Sequence, residues 1–445
     1  MTYPRYAEYK ESGVEWLGSI PTLWDVKQAR YIFQIHNGST PRSSVPEYWD
    51  GDIIWLTPED LGNNQGKTIS NSKRKLTAEG YESCGTSLAK SGSIVMSTRA
   101  PIGHIALTTK PAAVNQGCRL LEPMEGVQGY WYYASVTATT EFQSLGQGST
   151  FMELSRQSTG SVKFPVPPLP EQQAIARFLD YKTAQIDTLI AKKEALLAAL
   201  AEKRTALISH AVTKGLDPDA PMKDSGVEWL GEIPARWNPL RLRFVLSVNP
   251  SKNEVLLSED ELVSFVPMES VNEYGGLNLD DEKPLDEIGS GYTYFADGDV
   301  VVAKITPCFE NGKGALAENL ANGTAFGTTE LHVLRAGCEL DRRFLFYLTI
   351  SYPFRKIGEA YMYGAAGQKR VPENFIKDLR VGIPPLEEQK EIVRFLELKI
   401  AEMDDLFAKI QQVISKLQEH RTSLITHAVT GQIDVRDFVP PEPSS

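Results

Sequence analysis

Two peptides 213 residues apart are nearly the same: ESGVEWLGSIP at Glu11–Pro21 and DSGVEWLGEIP at Asp224–Pro234, with Trp24 and Trp237 following at the same offset. PPLPEQ at Pro167–Gln172 returns as PPLEEQ at Pro384–Gln389, and RTALISHAVT at Arg204–Thr213 returns as RTSLITHAVT at Arg421–Thr430, both at offset 217. Self-similarity across a whole chain means one structural unit built twice. The opening peptides and the segments after residues 167 and 384 match closely, whereas residues 40–160 and 250–375 diverge. A common scaffold with a divergent interior predicts two copies of one fold doing two different jobs, as two different targets held at a fixed separation would require.

The closely matching segments read as helices. Pro170 and Glu171 open the first; Pro385, Glu387 and Glu388 open the second. Proline lacks the N–H that a first helical turn leaves unpaired, and a carboxylate favours the positive end of the helix dipole. Gly215 and Gly431 stand where a left-handed stop belongs. Between them run Thr183, Ile186, Ile190, Lys193, Leu197, Leu200, Arg204 and Leu207, matched by Ile400, Met403, Phe407, Ile410, Ile414, Leu417, Arg421 and Leu424. This 3–4 alternation is a heptad seam. It is narrow and about five turns long, so it predicts that the two helices pair with each other as an antiparallel coiled coil, beyond any packing on their own modules. Lys193, Arg204 and Arg421 interrupt it, as residues that fix register or meet a partner do. The 40 residues from Glu171 to His210 make a rod of about 60 Å, a ruler between two modules.

The chain therefore divides into a module at 1–166, a long helix at 167–215, a second module at 216–383, a second helix at 384–431 and a tail at 432–445. Gly51–Leu61 and Ser91–Leu107 are β-rich runs punctuated by Gly and Pro, as are Leu262–Val271 and Asp297–Ala317; Tyr130–Leu145 and Arg342–Ile357 carry helical patterns. The fold class expected is α+β, two tandem modules of mixed α/β structure each followed by a long helix.

Several function classes find no support. No stretch approaches the roughly 20 apolar residues of a membrane span, and the polar, aromatic start lacks an export core. Cys84, Cys118, Cys308 and Cys338 are scattered without metal-ligand spacing, so reduced thiols, a cytoplasmic setting and no metal site are expected. GNNQGKT at Gly62–Thr68 has three residues between its glycines where a phosphate-binding loop needs four, and reads as a turn. The Asn-Pro-Pro-aromatic motif of adenine methyltransferases is absent. Asp281-Glu282-Lys283 lies in an acidic loop, and His210 and His427, near helix ends, are expected to cap or pack. No catalytic residue is expected.

Net charge is -11. Residues 1–165 carry 15 basic and 15 acidic side chains, residues 166–220 carry 7 of each, residues 221–382 carry 17 and 24, and residues 383–445 carry 7 and 11. Neither half has the basic excess of a stand-alone DNA binder. Any nucleic-acid contact must come from local loops or be shared with a partner.

Such loops recur at matching places. Lys73-Arg74-Lys75 is a basic triplet among turn residues. Asn115-Gln116-Gly117 aligns with Gly327-Thr328-Thr329, and Gly148-Ser149-Thr150 with the following Arg156 and Gln157 takes the place of Gly367-Gln368-Lys369-Arg370. Asn, Gln, Arg and Lys can read base edges; Ser and Thr can hold phosphates. With Arg42, Arg99 and Lys304 these form the candidate DNA-binding set: Arg42, Lys73, Arg74, Lys75, Arg99, Asn115, Gln116, Ser149, Thr150 and Arg156 in the first module; Lys304, Thr328, Thr329, Gln368, Lys369 and Arg370 in the second. Any one residue alone reads as an ordinary solvated loop; recurrence in both copies favours the set.

The chain resembles the specificity subunit of type I restriction-modification systems. The resemblance rests on the opening peptide SGVEWLG-IP, Gly38-Ser39-Thr40-Pro41 with Tyr48-Trp49 and Ile54-Trp55-Leu56, Arg99-Ala100-Pro101-Ile102-Gly103, Asn115-Gln116-Gly117, Gly148-Ser149-Thr150, both PPL-EQ openings and the AVT helix ends. It implies that each module is a target recognition domain reading one half of a split site in double-stranded DNA, and that the paired helices set the gap. It implies that the helices dock two methyltransferase subunits carrying S-adenosylmethionine, joined by a restriction subunit that uses ATP and Mg. The chain itself is then no enzyme and needs no cofactor. The second module departs from the pattern, lacking the Gly-Ser-Thr-Pro and Asn-Gln-Gly peptides. The competing reading is a scaffold whose modules bind proteins and whose helices only pair.

Overall fold

Unbroken apolar runs set the central strands, because a strand covered on both faces has no polar side to show. In the first module Ile94–Ser97 is buried at every residue, and in the second Val300–Ala303 is too. The computed structural model describes residues 3–64, 66–99, 101–147, 152–289, 291–364 and 367–441. The chain folds as two units, one of residues 1–193 with 412–445, the other of residues 194–411.

In the first unit Ile94–Ser97 is the middle of a five-stranded sheet, flanked by Cys118–Pro123 and then Phe33–Asn37 on one side, Ile105–Thr108 and then Thr68–Ile69 on the other. A three-stranded sheet sets Trp49–Leu56 between Ala112–Val114, parallel to it, and Lys75–Leu76, antiparallel to it. A ribbon of Asp25–Gln28 and Lys163–Val166 closes the module, and the opening peptide makes a small hairpin of Tyr9–Glu11 and Ser19–Pro21. The second unit repeats the plan with two four-stranded sheets. One holds Leu246–Val248, Leu331–Ala336, Val300–Ala303 and Gly314–Leu316; the other pairs Leu262–Val266 in parallel with Thr324–Gly327. Its ribbon is Asn238–Arg241 with Arg380–Ile383, and its hairpin Met222–Asp224 with Glu232–Pro234.

Some boundaries differ from the sequence reading. The run Gly51–Leu61 is a strand only to Leu56. Thr57 then caps a short helix, Pro58–Asn63, its side chain accepting from the backbone N–H of Asp60 while Asp60 returns the bond; such a reciprocal cap outweighs the β character of the run. The helical pattern at Arg342–Ile357 is two helices, Arg342–Ile350 and Tyr352–Ala360, broken at the extended Ser351 ahead of Pro353. Glu282–Pro284 is a short strand, not a loop. His210 and His427 are exposed, and the His427 carbonyl accepts from Gln432 at 2.8 Å where its helix ends.

The long helices span Leu169–Lys214 and Leu386–Val429, 46 and 44 residues, each a little under about 70 Å at 1.5 Å per residue. They pack along the predicted seam. Between Asp187 and Ala199 only Ile190, Lys193 and Leu197 escape full exposure, and Ile186, Leu200, Ile410 and Leu424 are buried. In the first unit Ile186 and Ile190 share a core with Leu417 and Leu424; in the second, Leu207 and Ile208 share one with Leu396 and Ile400. Arg421 bonds Asp187 at 2.7 Å and Arg204 bonds Asp404 at 2.6 Å. One helix rises by 17 residues between these pairs while the other falls by 17, so the helices run antiparallel.

The repeated motifs have matching work to do. Trp24 donates its indole N–H to Glu171 at 2.8 Å, with Tyr6 donating to the same carboxylate at 3.0 Å; Trp237 donates to Glu388 at 2.9 Å. Gln172 accepts from the backbone of Val127 and donates to Pro167, and Gln389 does the same with Asp341 and Pro384. These bonds account for the Glu-Gln of both PPL-EQ openings. Gly431 takes φ 72°, and a Cβ there would fall 2.4 Å from Pro21; Gly215 takes φ 82° beside Trp237. Each module's tryptophan thus meets the start of the helix that follows it and the end of the other helix.

Candidate nucleic-acid interface

In the first module the candidates gather in two groups joined by one turn. The parallel pair of strands ends at Leu56 and Val114. Asn115 then donates its N–H to Leu56 at 2.9 Å, and its side chain accepts from Gly117 at 3.0 Å, forming a turn that pushes Gln116 outward. Gln116 accepts a hydrogen bond from Thr40. Gly38 lies so close to this turn that a Cβ would sit 1.8 Å from the Asn115 carbonyl. The Gly-Ser-Thr-Pro and Asn-Gln-Gly peptides are therefore neighbours, and only glycine permits the approach.

The first group surrounds Trp49. The Arg74 guanidinium lies over its ring at 3.4 Å, its indole N–H donates to the Arg42 carbonyl at 3.4 Å, and Lys75 stands on the strand beside Ile54. Lys73 pairs with Glu59 at 2.7 Å, which raises its pKa further. Arg42, Lys73 and Arg74 are exposed and Lys75 is half-buried.

Beyond the turn, where Thr98 donates to Gly117 at 2.8 Å, lies the second group. Arg99 bonds Glu153 at 2.9 Å, and Arg156 opens a short helix capped by Ser155. A third guanidinium, Arg119, went unremarked in the sequence. It is buried, donating to Leu154 and Asn37, and burial pushes its pKa down, as do the nearby Arg156 and Arg99. Its one trace in the sequence is a charge inside the apolar strand Cys118–Pro123. Ser149 and Thr150 lie outside the described residues.

The second module brings all six of its candidates to the end of Val300–Ala303. Thr328 donates to Val266 at 3.1 Å, the counterpart of the Asn115 bond. Glu330 donates its N–H to the Thr328 hydroxyl, and Lys304 donates to the Glu330 carbonyl at 2.9 Å. Thr306 donates to Lys369 and Val371 to Lys304. Arg370 holds Glu330 through two bonds of 2.8 Å, which keeps that carboxyl below its ordinary value. Thr329, Gln368 and Lys369 are exposed. His332 lies buried beneath, bonded at 2.9 Å to the Val371 carbonyl, its pKa lowered by burial. Tyr363, 66% exposed and paired with Arg370 across an antiparallel bridge, also belongs to this surface; the sequence reading missed it because an isolated loop tyrosine carries no signal.

The acidity of this module has a definite place. From Glu254 to Glu287 the chain carries eleven carboxylates and one lysine, none of them in the Lys304–Arg370 cluster. No group of acidic, histidine or cysteine side chains suited to a metal occurs among the described residues, and no described helix is long and apolar enough to cross a membrane.

Two α/β modules on a paired-helix scaffold, each with a polar cluster at the same topological place but of different composition, define a duplicated recognition protein. The family described as type I restriction modification DNA specificity domain matches residues 21–198 and 287–416. The chain belongs to this family. The type I restriction enzyme MjaIX specificity subunit of Methanocaldococcus jannaschii is 28% identical over 97% of this chain and 98% of its own. The EcoAI specificity subunit of Escherichia coli is 36% identical over 51% of this chain and 38% of its own. Among solved structures, a chain described under complex assembly and conformational transition of the type I R-M system superposes with a TM-score of 0.69 at 13% identity, over 92% of this chain and 98% of its own. The HsdS subunit from Thermoanaerobacter tengcongensis gives 0.50 at 14% identity, over 93% and 98%. At such identity the structural likeness speaks for the fold.

Proposed function

We propose that this chain is the DNA sequence-specificity subunit of a type I restriction-modification complex, each module reading one half of a split target and the helices fixing the gap. One observation carries the reading. The key scaffold bonds recur, from the Trp24–Glu171 and Trp237–Glu388 pairs to the Asn115 and Thr328 turns, while the side chains that the two modules offer differ: Gln116 with Arg42, Arg74 and Lys75 in one, Lys304, Gln368 and Lys369 in the other. A device that reads two unlike half-sites needs this combination, and a scaffold binding one partner twice does not.

The helices support a second part of the proposal, that they dock two methyltransferase subunits. Outside the seam, Leu189 and Leu196 are exposed on the first helix, and Leu406 and Val413 on the second. These are equivalent positions at offset 217. Tyr31 and Leu169 in the first unit, and Phe244 and Leu386 in the second, are a further repeated exposed pair. Apolar side chains repeated in the open fit the same partner bound twice. S-adenosylmethionine, ATP and Mg belong in this reading to the partners, and the complex to the cytoplasm.

Co-expression with the methyltransferase subunit of the same system, followed by single-molecule mapping of modified adenines, tests the proposal. Two short sequences separated by a fixed unspecific gap are expected. A stable complex that leaves no modified motif would overturn it.

A further inference from the structure

Two of the candidate arginines, Arg99 in the first module and Arg370 in the second, are already engaged by carboxylates. Arg99 begins a three-strand bridge, with Glu153 in the middle, on the strand just outside the sheet, and Gln147 beyond. Ile305, Arg370 and Tyr363 form the same bridge in the second module. The equivalence is fixed by hydrogen bonds: Leu154 donates to Thr98 as Val371 donates to Lys304. Glu153 and Arg370 therefore hold one position on the outer strand, with opposite charge. In the first module the outer strand carries the carboxylate and the sheet carries the arginine; in the second the outer strand carries the arginine and the scaffold turn supplies Glu330.

We infer that Arg99 and Arg370 are positioning residues that clamp the outer strand to the sheet, and that reading in the second module falls to Gln368, Lys369 and Tyr363 beside the clamp. A clamp works with either polarity. The outer-strand position carries opposite charge in the two modules while its bridge to the sheet is kept. Arg370 also directs at Glu330 the two-pronged donor geometry that a guanine edge would need. This inference rests on the DNA-reading function proposed above and adds which groups do the reading.

The test uses the complete chain with its methyltransferase, comparing the methylated motif of Glu330→Gln, of the exchange Glu330→Arg with Arg370→Glu, and of Arg370→Lys. A clamp predicts that Glu330→Gln weakens modification at the second module's half-site about tenfold, and that the exchange restores the unaltered half-site. Arg370→Lys keeps a cation on Glu330 but cannot fork onto guanine, so it too should keep the half-site sequence. The first module's half must persist throughout, which reports folding independently. A changed or lost half-site in both the exchange and Arg370→Lys would make Arg370 a reader and overturn the inference. Tyr363→Ala and Lys369→Ala are expected to alter the same half-site; an unchanged motif in both would also overturn it. If the unaltered chain gives no split motif, the function proposed above has failed. The clamp remains testable by a double-mutant cycle of Glu330→Gln and Arg370→Gln on unfolding of the DNA-free chain, where zero coupling refutes it.

Discussion

At the scale of single residues, the Glu171 carboxylate is the acceptor for two buried donors, Trp24 and Tyr6. Replacing it by alanine leaves both unpaired at a cost of about 1–3 kcal/mol, so urea unfolding of Glu171→Ala should show a lower midpoint; an unchanged midpoint would mean that water replaces the carboxylate. Glu330 gives a pH-dependent counterpart. Its folded pKa is lowered from the ordinary 4.5, chiefly by Arg370, so the stabilisation is present above 4.5 and is lost as pH falls through the lowered value. The stability difference between the unaltered chain and Glu330→Gln should be level from neutral pH down to about 5 and close below it. Replacing Lys73, Arg74 and Lys75 together by alanine should weaken DNA binding by the assembled complex. It should also flatten the salt dependence of binding by about 0.9 for each phosphate that is no longer neutralised; equal affinity at moderate salt would remove this loop from the interface. Local sequence exposed the types of these residues but not their partners. Arg99 and Glu153 are 54 positions apart and Arg370 and Glu330 are 40 apart, so nothing nearby in the chain distinguishes an engaged arginine from a free one.

At the scale of elements, the long helices were the most legible part of the chain. Their side chains meet at spacings of three and four, and the same spacing that marks the seam decides which residues are buried. The sheets were less so, because Thr57 and Asp60 end one strand by a cap and Ser351 breaks one helix into two, each a contest between local terms of about 1 kcal/mol. The two ion pairs at Asp187–Arg421 and Arg204–Asp404 make a specific prediction about length. Four residues inserted after Leu196 and four after Val413 leave both pairs in register and lengthen the rod by about 6 Å, which corresponds to about two base pairs of extra gap at 3.4 Å each. Insertion into one helix alone displaces one pair and should lower stability as well. Motif mapping and thermal melting together check this, and an unchanged gap would reject the ruler.

At the scale of the whole molecule, the repeated exposed side chains predict stoichiometry. Glutamate at Leu189, Leu196, Leu406 and Val413 should leave the chain folded, since these positions face away from the seam, while reducing the number of methyltransferase copies bound in sedimentation measurements. Two copies retained would place docking elsewhere. The division of the chain has a consequence for its synthesis. The second unit is a continuous stretch, residues 194–411, whereas the first needs residues 412–445 to complete it, with Leu424, Ile425, Ala428 and Val429 buried in its core. On the ribosome, the module translated first waits with an open apolar face until Leu424–Val429 emerge, so it is the half most exposed to chaperones and proteases in the nascent protein.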